Sequence, residues 1–204
     1  MSIIKRAIIF LAEGFEEVEA ITPIDLLRRA GFDVTTVSIN DEPLVNGAHN
    51  IPVKADMTIN ELINKDGYDV VILPGGAKGT QNLGNSGRVC EIIKSYNENP
   101  DKYVAAICAA PTVLADNGIL KDRKAVCYPA PDHIQKLIDG GAVLKENYNE
   151  INAIIDDHII TSKGAGTAID FALAIITAME NIEAADSIAE KIVYKWNKEL
   201  LMGL

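Results

Sequence analysis

The chain has 204 residues, of which 48% are apolar and 24% are charged, and its formal net charge is -10. These values are ordinary for a folded globular protein and exclude a disordered chain. The lysine and arginine residues are scattered, whereas a nucleic-acid surface needs concentrated positive charge. The sequence therefore predicts no nucleic-acid partner, and the same negative charge argues against binding to an anionic membrane.

The N-terminal region resembles an export signal only superficially. The apolar run over 7–12 is too short, and glutamates follow it where a cleavage site would lie. No apolar stretch reaches the roughly 18 residues that a membrane span requires. The three cysteines are unclustered and form neither a disulfide framework nor a CxxC metal site. We predict a cytoplasmic protein with no membrane partner.

Short β-branched runs alternate with helical segments along the chain. The predicted elements, in chain order, are a strand over 7–11, a helix over 16–30 with Pro23 as a kink or as the start of a second helix, a strand over 34–39, a hairpin over 44–54 with Asn46-Gly47 between apolar positions, a strand over 68–73, a helix over 86–99, a strand over 103–107, a helix over 111–117, strands over 154–156 and 159–161, and two helices over 167–202 that separate near Asn181. This alternation predicts an α/β fold with a mainly parallel sheet and helices on both faces. Such sheets bind ligands at the carboxyl ends of their strands.

Cys108 follows one of these buried strands directly and precedes a helix that Pro111 can open. A sharp turn at this point would push the sulfur out of the sheet, as a nucleophile elbow does for serine. The helix N-terminus offers unpaired N–H groups and partial positive charge, which favour the thiolate. A buried structural cysteine is the alternative, and position alone leaves both interpretations open.

Gly75 and Gly76 follow the strand over 68–73. Paired glycines let the backbone approach a ligand closely and direct N–H groups at an oxyanion, although an ordinary turn would use them equally well. They do not belong to a phosphate loop, because the chain contains no GxxxxGK[ST] motif.

Glu19 follows the first strand, in a run of acidic residues that complements a helix dipole. On the inward face of that helix, its carboxyl would point at the same pocket as Cys108, and its pKa would be raised. The histidines at positions 49, 133 and 158 form no familiar dyad with the cysteine and show no metal-ligand pattern. We predict no metal and no cofactor.

Four segments together resemble one known family, in order and in spacing. They are Gly-Phe-Glu-Glu-Val-Glu over 14–19, Leu-Pro-Gly-Gly over 73–76, Ala-Ile-Cys-Ala-Ala-Pro over 106–111 and Thr-Ser-Lys-Gly-Ala-Gly-Thr over 161–167. The family is the ThiJ/PfpI superfamily, and the most similar branch is the DJ-one branch of Parkinsonism-associated deglycases. The resemblance implies a flavodoxin-like sandwich, also called class I glutamine amidotransferase-like. It further implies a single domain over 1–204 that forms a homodimer, with a divergent C-terminal helix at about 185–204.

The resemblance also implies roles for individual residues. Cys108 corresponds to the nucleophile, and Glu19 to the carboxyl group hydrogen-bonded to its sulfur. The residues assigned to oxyanion or substrate binding are Gly75, Gly76, Ala109, Tyr128, Arg29 and His49. Two of them depart from the pattern of the branch, because Tyr128 replaces a pocket histidine and His49 replaces a pocket arginine. Tyrosine is a poor base at neutral pH but still donates a hydrogen bond.

The implied activity is a glutathione-independent glyoxalase or a deglycase that acts through Cys108. Its partners would be small reactive carbonyl compounds, namely 2-oxoaldehydes or early glycation adducts. The alternative is a non-enzymatic redox sensor or chaperone in which Cys108 is oxidised to the sulfinic acid. A third candidate is an intracellular cysteine peptidase or amidase. The branch with that activity carries a histidine directly after the cysteine, where this chain has Ala109.

Overall fold

The structure is a computed structural model that describes residues 4–145 and 148–202. Its strands are β1 (Arg6–Leu11), β2 (Asp33–Ser38), β3 (Leu44–Asn46), β4 (Pro52–Lys54), β5 (Met57–Thr58), β6 (Val70–Leu73), β7 (Tyr103–Ile107), β8 (Ala153–Asp156), β9 (Ile159–Ser162) and β10 (Leu201–Met202). Its α-helices are α1 (Glu17–Arg29), α2 (Ala77–Asn85), α3 (Gly87–Asn97), α4 (Pro111–Asp116), α5 (Pro131–Asp139), α6 (Ala168–Met179) and α7 (Ile182–Lys191). Short 3-10 turns cover Lys65–Gly67, Ala165–Thr167 and Lys198–Leu200.

Eight strands form the main sheet, in the order β10-β8-β9-β7-β6-β1-β2-β5. All neighbouring pairs are parallel except β8 and β9, which are antiparallel. The antiparallel pair follows from the tight turn between the two strands, because a parallel pair would need a long crossover. This arrangement confirms the predicted flavodoxin-like α/β fold. It also brings the carboxyl ends of β1, β6 and β7 to one edge.

The sheet separates two apolar cores because side chains alternate along each strand. On β1, Ile9 and Leu11 pack into the core beneath α1, α6 and α7, whereas Ile8 and Phe10 pack into the core beneath α3, α4 and α5. All four side chains are fully buried. A strand covered on both faces must be apolar along its whole length, which explains the continuous runs in the sequence.

The predicted hairpin is confirmed, but its turn differs from the expectation. β3 and β4 pair antiparallel from Asn46 opposite Pro52, so the connection is a five-residue loop over 47–51 and not a tight Asn-Gly turn. Gly47 is needed there because a Cβ atom at that position would collide with the Glu17 side chain. Pro23 lies inside one continuous helix, α1, and does not begin a second one.

The predicted C-terminal helix over 185–204 is wrong beyond Lys191, where α7 ends. Val193 adopts the left-handed region, with φ of 58°, which a helix cannot contain. The hydroxyl group of Tyr194 then donates a hydrogen bond to the carboxylate of Asp170 on α6, and the chain continues to β10 beside β8. Residues 203 and 204 lie outside the described residues.

Among the described helices, none combines the length and apolar character that crossing a membrane would need.

We expect Ile72→Ala to lower the free energy of unfolding by about 2–5 kcal/mol. Ile72 lies on β6, pairs in register with Ile9 and is fully buried, so its truncation leaves a cavity between packed layers. The matched control is Ile63→Ala, because Ile63 is 95% exposed. Its effect should stay within about 0.5 kcal/mol. Urea denaturation measures both, and equal effects would contradict the assignment of β6 to the centre of the sheet.

Candidate active site

Cys108 lies at the turn between β7 and α4 with φ of 65°, a strained conformation for a non-glycine residue. Two hydrogen bonds hold this backbone. The Cys108 N–H donates to the carbonyl of Ser162 at 3.0 Å, and its carbonyl accepts from the N–H of Tyr128 at 2.7 Å. The predicted sharp turn at Cys108 is therefore present. Hydrogen bonds to two neighbouring segments of the chain hold its backbone in this strained conformation.

Gly75 and Gly76 follow β6 after Pro74 and shape the other side of the site. Gly76 has φ of 88°, which favours glycine. A Cβ atom on Gly75 would lie 2.5 Å from Oε2 of Glu19 and 2.6 Å from Cβ of Cys108. Only a residue without a side chain leaves space for the carboxyl group and the cysteine to meet there.

Backbone N–H groups surround the sulfur and the carboxyl group. Gly76 and Ala109 donate hydrogen bonds to the sulfur of Cys108, and Gly75 donates to Oε2 of Glu19 at 2.9 Å. The structure therefore brings together Cys108, Glu19 and the three predicted neighbours at the edge of the sheet. A negative charge that develops beside the sulfur would meet two donors that are already in position.

Glu19 lies in the first turn of α1 and is only 1% exposed. Burial raises the pKa of its carboxyl group to about 7, and the negative charge of Glu16 adds to the rise, while hydrogen bonds from Cys108 and the Gly75 N–H act in the opposite direction. A carboxyl group with this pKa exchanges its proton readily near neutral pH.

Burial and then the charge of Glu19 raise the pKa of Cys108 to about 12, against the hydrogen bonds from Gly76 and Ala109. The helix N-terminus, which the sequence position suggested would favour the thiolate, therefore does not bring the pKa of this thiol below its ordinary value. The carboxyl and thiol groups form one hydrogen-bonded pair, so their protons belong to the pair. Its first proton is lost near neutral pH.

Tyr128 contributes to the rim of the site. Its side chain is about half exposed, and its ring packs edge-on against the ring of His133 with centroids 5.9 Å apart. A Cβ atom on Gly164 would lie 3.6 Å from the Tyr128 ring and 4.0 Å from the Cys108 sulfur. Gly164 therefore lies close to both the ring and the sulfur. His133 and Gly164 were absent from the predicted site. The segment over 161–167, one of the four resembling the family, is the signal that indicated Gly164.

Arg29 and His49 do not contact Cys108 within the chain. Arg29 lies in the last turn of α1, ten residues and about 15 Å along the helix from Glu19, and pairs with Asp25 at 2.7 Å. His49 is exposed and hydrogen-bonds to Glu17 at 3.0 Å, which raises the pKa of the imidazole. Its bonds join the hairpin loop to the start of α1.

His49 also belongs to the one group of described residues in which three side chains could hold a metal ion, together with Glu16 and Glu17. Their ligand atoms lie within 4.8 Å of one another. However, Oε1 of Glu17 accepts hydrogen bonds from the backbone N–H groups of His49 and Ile51, and Oε2 contacts the imidazole. These bonds account for the cluster as a structural link.

The raised pKa of Glu19 has a testable consequence for stability. Between its ordinary value of 4.5 and about 7, the folded state binds the carboxyl proton more tightly than the unfolded state does. The free energy of unfolding therefore falls as pH rises through this interval, by about 3 kcal/mol from this group. Urea denaturation at pH 4 and pH 8 should show this loss in the wild type relative to Glu19→Gln.

Glu91→Gln is the matched control, because Glu91 is exposed on α3. That variant should keep the pH profile of the wild type. Parallel profiles for the wild type and Glu19→Gln would show that Glu19 ionises at its ordinary pKa, against this account.

The chain is similar to known proteins over most of its length. The DJ-1/PfpI family matches residues 5–178. Parkinson disease protein 7 homolog of Danio rerio is 34% identical over 191 residues, covering 94% of this chain and 98% of that protein. Glutathione-independent glyoxalase DJR-1.2 of Caenorhabditis elegans is 35% identical over 191 residues, covering 92% and 96%.

Among solved structures, Drosophila melanogaster DJ-1beta superposes with a TM-score of 0.85 at 32% identity, covering 95% of this chain and 100% of that one. An oxidized Toxoplasma gondii DJ-1 gives a TM-score of 0.84 at 31% identity, covering 94% and 100%. Sequence and fold match over nearly the whole of each chain. The chain therefore belongs to the DJ-1/PfpI family.

Proposed function

We propose that this DJ-1-type protein converts 2-oxoaldehydes to 2-hydroxyacids without glutathione, through Cys108. The observation that carries the proposal is the buried contact between the Cys108 sulfur and a carboxyl group whose pKa is raised to about 7. One relative at 35% identity is named as a glutathione-independent glyoxalase. The same site would accept early glycation adducts, which present a similar carbonyl-derived carbon.

The first step is the addition of the Cys108 sulfur to the aldehyde carbon. A sulfur–carbon bond forms, the carbonyl electron pair moves to oxygen, and the proton of the pair remains on Glu19. The N–H groups of Gly76 and Ala109 already point at the sulfur, so they lie beside the oxygen of the resulting hemithioacetal. Glu19 then gives its proton to this oxygen and is left as the carboxylate.

The second step moves a proton between neighbouring carbons. The Glu19 carboxylate removes the proton from the former aldehyde carbon, and the electron pair moves onto the adjacent ketone oxygen to give an enediolate. Glu19 then returns the proton to the second carbon. The hydroxyl proton on the first carbon moves to the second oxygen, a carbonyl forms on the first carbon, and the product is a 2-hydroxyacid thioester. Water hydrolyses the thioester and restores the thiol. A single group with a pKa near 7 suits both proton transfers, and Tyr128 at the rim offers a hydroxyl donor to the substrate.

We further propose that the protein acts as a homodimer in the cytoplasm. Three free cysteines support a reducing compartment. Val18 and Ile21 on α1 are 48% and 44% exposed, and large apolar side chains on one helix face support a contact with a second copy. The overall negative charge supports the absence of a nucleic-acid partner.

The activity is tested by incubation with methylglyoxal and an enzymatic assay of lactate. We expect the wild type to form lactate, Cys108→Ala to form none above background, and Glu19→Gln to lose about 10²–10⁴-fold in kcat/KM. Cys90→Ala is the matched control, since Cys90 is also a partly exposed free cysteine and lies away from the site on α3. Lactate from Cys108→Ala at the wild-type rate would overturn the proposal.

A redox sensor is the second candidate, and the two donors on the sulfur favour it. Oxidation of Cys108 by two equivalents of peroxide gives a sulfinate whose oxygens would lie near the N–H groups of Gly76 and Ala109. The peptidase alternative has less support, because Ala109 provides no imidazole beside the sulfur.

Peroxide titration followed by intact-mass measurement should show two added oxygens that peptide mapping assigns to Cys108. Cys127 is fully buried, and Cys90 lacks the pair of N–H donors, so both should react later. Earlier oxidation of either would exclude Cys108 as the sensor.

A further inference from the structure

The segment over 161–167 carries two paired hydroxyl groups that the proposed mechanism does not use. Ser162 is the last residue of β9, is fully buried and lies opposite Ile107, the residue before Cys108. Thr167 follows five residues later, directly before α6. The side-chain oxygens of the two residues are 2.7 Å apart. A contact this short between hydroxyl oxygens is a hydrogen bond, so it ties the two ends of the segment together.

The available protons give this hydrogen-bond chain one direction. A hydroxyl group has a single proton to donate. The Ser162 hydroxyl donates it to the Asn152 carbonyl at 2.7 Å, because a carbonyl oxygen can only accept. The Thr167 hydroxyl then donates to the Ser162 oxygen at 2.7 Å, since the Gly164 carbonyl is farther away, at 3.0 Å, and already accepts the Thr167 N–H. The Thr167 oxygen in turn accepts the Gly164 N–H at 3.1 Å.

One end of this chain is a fixed point of the fold. The Asn152 N–H donates to the carbonyl of Leu200 at 2.8 Å, and its side-chain amide donates to the Asp170 carboxylate at 2.9 Å. Asp170 is 3% exposed and also accepts the hydroxyl group of Tyr194. The Asn152 carbonyl that receives the Ser162 proton therefore has little freedom to move.

The other end of the chain meets the reactive pair at two points. The Ser162 carbonyl accepts the Cys108 N–H at 3.0 Å and so holds the strained turn. A Cβ atom on Gly164 would lie 3.8 Å from Oε1 of Glu19 and 4.0 Å from the Cys108 sulfur. The hydroxyl pair therefore fixes both the carbonyl that holds the cysteine and the glycine that lies beside the carboxyl group.

We propose that Thr167 and Ser162 are positioning residues for Cys108, and that their hydroxyl pair holds the cysteine in its hydrogen-bonding contact with Glu19. This inference rests on the proposed function for its effect on turnover, but not for its effect on the reactivity of the sulfur. Both residues act through backbone groups and take no part in the chemical steps.

The loss of either hydroxyl group has a defined consequence for the pair. The turn loosens, and the thiol becomes a weaker donor to the Glu19 carboxylate. That hydrogen bond lowers the pKa of the carboxyl group, so the pair then releases its first proton at a higher pH.

Alkylation of Cys108 by iodoacetamide tests the proposal without turnover, with the rate followed across neutral pH by mass spectrometry of the Cys108 peptide. In the wild type, we expect the rate to rise at about pH 7, where the pair loses its first proton. Thr167→Val removes the hydroxyl group at nearly the same shape. It should move the rise upward by about half a pH unit or more, as a weakened charge-assisted hydrogen bond would give. Thr167→Ser restores the hydroxyl group and should return the rise to its wild-type position.

The chain offers a matched control and an internal report on folding. Thr177 on α6 donates to the Leu173 carbonyl at 2.8 Å, so Thr177→Val also loses a threonine hydrogen bond and should keep the wild-type profile. Cys127 is fully buried, so its alkylation would report unfolded protein in any variant. Ser162→Ala is the second test variant and should move the rise in the same direction as Thr167→Val, even if the latter does not fold.

Turnover of methylglyoxal separates this inference from the proposed function. Thr167→Val should lower kcat by about tenfold and leave KM near its wild-type value, whereas Thr167→Ser should recover most of kcat. An upward move of the alkylation rise without lactate from the wild type would support the positioning role and overturn only the proposed function. Alkylation profiles of Thr167→Val and Ser162→Ala that coincide with the wild type, or that move to lower pH, would overturn the positioning role. Lactate formed by the wild type in that case would leave the proposed function standing.

Discussion

The buried contact between the Glu19 carboxyl group and the Cys108 thiol is the constraint around which this edge of the sheet is organised. Burial raises the pKa of both groups, and the charge of Glu19 raises that of Cys108 further, whereas the hydrogen bond from the thiol favours the Glu19 carboxylate. The pair holds a proton at neutral pH because it cannot easily carry two negative charges. A side chain at position 75 would occupy the space in which Glu19 and Cys108 meet, so only glycine fits there.

The strained backbone of Cys108 depends on the same surroundings. A positive φ at a non-glycine residue costs free energy, and the hydrogen bonds from Cys108 to Ser162 and from Tyr128 to Cys108 offset that cost. These partners lie on β9 and on the segment before α5. The parallel sheet on one side and the α5 segment on the other therefore hold the sulfur in place, and the elbow requires the whole fold.

The two sides of the sheet have different relations to the site. Helix α1 brings Glu19 to the edge, but its length carries Arg29 about 15 Å away to the opposite end. On the other side, α2, α4 and α5 leave a space beside Ala109.

The sequence by itself determined the α/β class, the order of the main strands and helices, and the two residues at the centre, Cys108 and Glu19. Continuous apolar runs and strand-helix alternation are local patterns, and the four family segments keep their spacing along the chain. Helix α2 escaped prediction because its two glycines and its polar residues give it a low helix propensity. Such a helix depends on packing for its stability.

Only the tertiary structure decided the protonation of the pair, the place of Arg29, the end of α7 and the neighbours Gly164 and His133. These properties depend on distances between segments that are remote in sequence. Burial beneath other elements raises the pKa of Glu19. Helix α7 ends shortly before Tyr194, whose hydroxyl group donates a hydrogen bond to Asp170 on a different helix. No local pattern contains that information, because burial and long-range hydrogen bonds exist only after the chain has folded.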